Sequence, residues 1–275
     1  MVISRWGRSN LTVMAVAFFL FSVEAVAQDT GVQTFQDCQP GTPRSIVETG
    51  PQIAFNQFDE IDQKVLGVSG TLGLCLAGSR VRWRLEGNYV HVDEEVYKAD
   101  GVLIGIGFTA RPIKGVPGLT MTPIGRIGYE TSSVGPSQAL YGGSLTFEFV
   151  NPIGDSIHES GPGLQLVLVD RPEYIVRSVQ GPAPDISGSD NTFSNFAAVG
   201  LDGSFGAKSR WRWKAEVAST SIAEDAPTNQ FFSGVVSVRP TSNKGASYPW
   251  SVELWLSRGN GNYRGVLLSF TLRFD

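Results

Sequence analysis

The chain has 275 residues, a formal net charge of −4, 41% hydrophobic and only 17% charged residues. That balance gives no case for nucleic acid or another polyanion as partner. A low charge fraction with ordinary hydrophobicity suits a wall with one polar and one apolar face.

In chain order, residues 1–27 read as a secretory signal. Arg5 and Arg8 open it, an apolar stretch follows from Leu11, and Ala25-Val26-Ala27 supplies the small-residue cleavage site. Cleavage removes Arg5, Arg8 and Glu24, leaving 20 Lys and Arg against 25 Asp and Glu. No Cys lies beside the site, which argues against a lipid anchor. No later apolar run reaches the roughly 18 residues of a spanning helix, so any crossing must use strands. Residues 28–43 then form an N-terminal segment, expected in the periplasm, ahead of a β domain over 44–275. Cys38 and Cys75 are the only cysteines, and the exported compartment permits a disulfide. Two separate inert thiols are the alternative. A metal pair is weaker, because His91 and His158 are far from both in sequence.

From about residue 44, segments of ten to thirteen residues alternate with turn-rich breaks. In 66–76, Leu66, Val68, Leu72 and Leu74 share a face opposite Gly67, Ser69, Thr71 and Cys75. In 80–90, Val81, Trp83, Leu85 and Tyr89 oppose Arg80, Arg82, Arg84, Glu86 and Asn88. Val102, Ile104, Ile106 and Phe108 form the next apolar face; Leu119, Met121, Ile127 and Tyr129 follow, then Tyr141, Leu145, Phe147 and Phe149. Further strands are expected near 195–206, 209–221, 229–240, 248–257 and 263–274. Ser79-Arg80-Val81-Arg82-Trp83-Arg84 is echoed by Ser209-Arg210-Trp211-Arg212-Trp213-Lys214, and Arg111-Pro112 by Arg239-Pro240. This reads as two similar halves about 130 residues apart, with coincidence among β-rich segments as the alternative.

The last strand begins at Gly265 and sets Leu268, Phe270, Leu272 and Phe274 against Ser269, Thr271 and Arg273. An apolar-outward terminal strand closing on Phe resembles the final strand of Gram-negative outer-membrane β-barrels, although Asp275 follows it here. The resemblance implies an all-β single antiparallel transmembrane barrel, inserted in outer-membrane lipid by barrel-assembly machinery that reads this strand. It also implies an even strand number, both termini in the periplasm and short turns on that side. Ten strands are clear. Parity then asks for one more before each half: Ser45–Phe58, interrupted by Gly50-Pro51, and a stretch within 164–179, interrupted by Arg171-Pro172. The total is twelve, with ten or fourteen as fallbacks. Internal prolines fit edges or bulges better than central strands. A soluble sandwich would alternate equally, but the signal, uniform strand length and terminal Phe favour the barrel.

The charges then choose the inside. A Lys or Arg on the lipid face at mid-bilayer costs about 2–4 kcal/mol, so three on one strand approach a whole domain's stability of about 5–15 kcal/mol. Arg80, Arg82 and Arg84 therefore face the lumen, as do Arg210, Arg212 and Lys214, and Trp83, Trp211 and Trp213 face lipid. In a twelve-strand wall the two columns stand opposite each other. Lining an open pore with Glu86, Arg126, Glu148, Glu216 and Glu253, they would favour passive diffusion of small polar or anionic solutes. The competing expectation is a closed barrel, its cations paired with those carboxylates, with a structural or surface-interaction role carried by loops such as 181–191.

An enzyme is not expected. His158-Glu159-Ser160 has the His-x-Ser order that resembles an outer-membrane phospholipase, but turn residues flank it. Gly105-Ile106-Gly107-Phe108-Thr109-Ala110 lacks the helix that a dinucleotide fingerprint requires. Asp93, Glu94 and Glu95 beside His91 read as a solvated loop. No cofactor or metal is implied.

Overall fold

Alternation of this kind satisfies backbone groups only when each strand has two neighbours, and the chain meets that demand by closing on itself. The computed structural model describes residue 38 and residues 45–58, 61–76, 81–94, 97–113, 115–116, 118–133, 137–153, 157–158, 161–162, 164–180, 189–205, 211–223, 229–240, 249–260 and 262–274. The first half contributes β1 (Ser45–Phe58), β2 (Ile61–Cys75), β3 (Arg82–Glu94), β4 (Lys98–Thr109), β5 (Leu119–Ser132) and β6 (Ser137–Pro152). Two-residue strands β7 (Ile157–His158) and β8 (Gly161–Pro162) pair with each other in the link that follows. The second half contributes β9 (Gln165–Gln180), β10 (Ser189–Phe205), β11 (Trp211–Ala223), β12 (Gln230–Pro240), β13 (Trp250–Gly259) and β14 (Arg264–Phe274). Every neighbouring pair in the barrel is antiparallel, and β14 closes onto β1. The result is a single closed twelve-stranded barrel, as the parity count requires.

Both proline-bearing segments are full wall strands. Pro51 lacks only an N–H, so β1 pairs without interruption with β2. Its ladder to β14 lapses between Thr49↔Leu272 and Gln52↔Ser269. Gly50 belongs to this gap, because a Cβ there would overlap the Phe270 carbonyl oxygen. Pro172 does the same in β9: continuous with β10, interrupted against β6 between Ser144↔Glu173 and Phe147↔Asp170. A central strand tolerates proline here because each loses rungs on one side only. These two gaps fall at the two seams between the halves, and Pro123 of β5 marks a further one inside the first half, where the ladder to β4 stops at Gly107↔Ile124.

The outward face is apolar. Leu268, Phe270, Leu272 and Phe274 are all exposed, as are Ile104, Ile106, Ile127 and Val217. Trp83 packs on Phe108 with ring centroids 6.0 Å apart, and Trp211 on Trp250 at 5.8 Å. This aromatic belt rings the end that carries β1's start and β14's finish. Turn lengths depart from expectation. At that end the links are long, residues 110–118 and 153–164 among them, whereas the other end has 59–60 and 95–97. Tight geometry explains the short ones: the Glu94 N–H donates to the Tyr97 carbonyl at 2.8 Å, and Asn262 takes φ 59° before β14.

Candidate functional site

The candidate site is the barrel interior. Successive inward residues on one strand stand about 6.6–6.8 Å apart, so each basic strand raises a column of cations. On β3, Arg82 and Arg84 are buried and point in, with Glu86 above them. On β11, Arg212, Lys214 and Glu216 do likewise. β3 and β11 stand on opposite walls in the strand order. Arg80 and Arg210, the first residues of the expected columns, lie outside the described residues, as do residues 1–27 and Asp275.

The columns meet carboxylates from neighbouring strands. Arg126 of β5 donates through Nε to Glu86 Oε1 at 2.7 Å and places Nη1 3.1 Å from Glu173 Oε1 on β9. Its Nη1 also donates to Ser144 Oγ at 2.8 Å. Arg84 Nε lies 3.4 Å from Glu86 Oε2. Across the lumen, Asp202 of β10 is shared by two guanidiniums, Arg212 and Arg239, the latter at 2.6 Å. Lys214 Nζ lies 3.0 Å from Glu216 and 3.8 Å from Glu253. Glu148 on β6 interacts with Arg84 of one column and with Lys214 and Arg239 of the other wall.

Between the ion pairs lies an apolar cluster. Val90, Val92, Val167, Phe196, Val235, Trp255 and Leu267 are buried together. The Trp255 indole N–H donates to Glu253 at 2.6 Å, and the Arg171 guanidinium stands 5.1 Å from the centroid of the Phe196 ring. At the end away from the termini, Tyr263 OH donates to Asn56, Asn56 to Gln63, and Gln63 to Glu94, the last at 2.6 Å.

Sequence reading anticipated Arg82, Arg84, Glu86, Arg126, Glu148, Arg212, Lys214, Glu216 and Glu253 inside. It missed Asp202, Glu173 and Arg239, which complete the pairs. Their alternation was available, but which column they serve depends on register across strands. A disulfide joins Cys38 to Cys75, with Cα atoms 5.6 Å apart, at the foot of β2 beside Arg82. His91 faces outward and its Nδ1 lies 3.0 Å from Asp100 Oδ1, which also accepts from Tyr89 OH at 2.6 Å. Of its acidic neighbours, Asp93 pairs with Lys98 at 3.2 Å and Glu94 turns inward. Among the described residues, no group of three or more His, Cys, Asp or Glu side chains is placed to hold a metal.

Solved structures share this wall. The β domain of the Bordetella autotransporter BrkA superposes with TM-score 0.61 at 12% identity, covering 84% of this chain and 99% of that one. The translocator domain of NalP from Neisseria meningitidis gives 0.59 at 12%, covering 97% and 98%. By fold, this chain is a β-barrel of the outer-membrane type. The transport unit of AIDA-I from Escherichia coli gives 0.52 at 10%, covering 91% and 97%. No protein-family model and no curated protein sequence matches the chain. At these identities the likeness establishes the outer-membrane barrel architecture and leaves its activity to the interior.

Proposed function

We propose that this protein is a closed outer-membrane barrel with a structural or surface-interaction role, rather than a standing diffusion pore. It is exported by cleavage after Ala27 and inserted by assembly machinery engaging its last strand, from Gly265 to Phe274. The supporting observation is that described cations on both basic walls meet carboxylates. Arg212 and Arg239 share Asp202, and Arg126 is held between Glu86 and Glu173. Cations neutralised in this way give little field to concentrate anions, and the apolar cluster around Trp255 fills space that a solute would need. The Neisseria structure is a translocator domain and the Escherichia coli structure a transport unit. What this chain shares with them is the wall alone.

Planar-bilayer recording of the refolded protein tests this. The parent is expected to show no stepwise conductance, and Arg82→Glu with Arg212→Glu should weaken the fold without creating an ion current. Ohmic, anion-selective steps in the parent that turn cation-selective in that double variant would restore the diffusion pore.

A further inference from the structure

On β9 the outward residues run Leu168, Asp170, Pro172, Tyr174, and on β10 Phe193, Asn195, Ala197, Val199. Asp170 is exposed and has apolar outward neighbours on both sides along its strand. A carboxylate turned to hydrocarbon at this depth is costly and needs a polar cover. Its hydrogen bond comes from Asn195, whose Nδ2 donates to Asp170 Oδ1 at 3.1 Å across the diagonal of the β9–β10 ladder. The Asn195 amide keeps a second N–H, and the Asp170 carboxylate keeps a second oxygen. Beside this pair the same wall is hollowed. A groove of about 600 Å³ runs between Ile106, Leu145, Tyr174 and Phe193, over Gly125 and Gly143. Gly125 opposes both Ile106 and Gly143, and Gly143 opposes Tyr174, so two adjacent strands lack side chains between two bulky ones.

We propose that this face, β5–β6–β9–β10, is the interface of a two-fold dimer within the membrane. The occupant is a second copy because donor and acceptor stand side by side on one chain. Under a two-fold axis each Asn195 can give its remaining N–H to the partner's Asp170, and each partner's aromatic rim can enter the facing groove. A lipid tail would fill the groove but leave the carboxylate uncovered. A different protein would need its own matching donor, whereas this surface already carries both members of the pair.

Fluorescence energy transfer between labelled copies, diluted stepwise with lipid in vesicles, measures the association. The parent should dimerise, and Asp170→Leu with Asn195→Leu should raise the dissociation constant about tenfold or more. The reciprocal exchange Asp170→Asn with Asn195→Asp keeps one donor and one acceptor per chain and should stay within about threefold of the parent. Migration of unboiled against boiled protein on gels reports whether each variant is folded. A parent that is monomeric at every lipid dilution overturns the proposal. So does a folded double-leucine variant that associates as tightly as the parent.

Discussion

The two basic walls look alike along the chain and are neutralised in opposite ways. On the β3 side the hub is a cation: Arg126 serves two carboxylates, Glu86 and Glu173, and Glu86 has Arg84 as a second partner. On the β11 side the hub is an anion: Asp202 serves Arg212 and Arg239. A shared cation with a substitute nearby is a redundant arrangement. A single carboxylate between two buried guanidiniums is not, because its loss leaves like charges facing each other in a medium that screens them poorly.

Removing each hub separates the two cases. Asp202→Asn should cost about 3–5 kcal/mol, the range for leaving a buried charge uncompensated. Arg126→Met should cost less, about 1.5–3 kcal/mol, the worth of hydrogen bonds to charged groups, since Glu86 retains Arg84 and Glu173 keeps the neighbouring charge of Arg171. Urea unfolding of vesicle-inserted protein, followed by tryptophan fluorescence, gives both numbers. Equal losses would show that the two walls do not differ as their hubs suggest.

Much of this was legible in the sequence, and the reasons for the rest are physical. Period-two alternation identified the wall strands, and parity demanded the two that carry Pro51 and Pro172. The inward direction of Arg82, Arg84, Arg212 and Lys214 followed from the cost of placing them in lipid. Asp202 was not legible, because its role arises from a register in which it sits opposite Lys214 on β11 yet reaches Arg212 and Arg239. Asp170 was lost for the opposite reason: an alternation read for its apolar members passes over a polar residue that stands among them on the outward face. The long links at the terminal end also ran against expectation, since loop length follows insertions that strand periodicity does not encode.

The halves differ again at the end away from the termini. The second half is capped by Phe231 and Tyr263, whose ring centroids lie 4.9 Å apart. The first is capped by Tyr97, buried in the β3–β4 link with its hydroxyl in hydrogen-bonding reach of Glu130 and Ser132. Burial first, then the charges of Glu130 and Glu94, push the Tyr97 pKa up. The unfolded chain therefore loses this proton near pH 10 while the folded barrel keeps it. Stability from Tyr97 is fully present below pH 10 and falls as pH rises beyond it, approaching about 1.4 kcal/mol per pH unit. Tyr97→Phe has no such proton to lose, so its stability should fall less steeply than the parent's between pH 10 and 11. Parallel slopes in alkaline urea titrations would remove Tyr97 from the cap.

The smallest effect belongs to an ion pair on the outside of the same end. Lys98 and Asp93 lie 3.2 Å apart, a distance like those in the interior, but their side chains are 63% and 45% exposed. Water and salt screen such a pair, and holding two mobile side chains together costs entropy, so it contributes between 0 and about 1 kcal/mol. Lys98→Ala should accordingly shift the urea midpoint far less than Asp202→Asn, and by less still in high salt. Distance is nearly matched between the Lys98–Asp93 and Lys214–Glu216 contacts, so burial is the variable that separates them. A loss from Lys98→Ala as large as that from either interior hub would mean that the outer pair is shielded in the assembled membrane, by lipid headgroups or by a neighbouring chain.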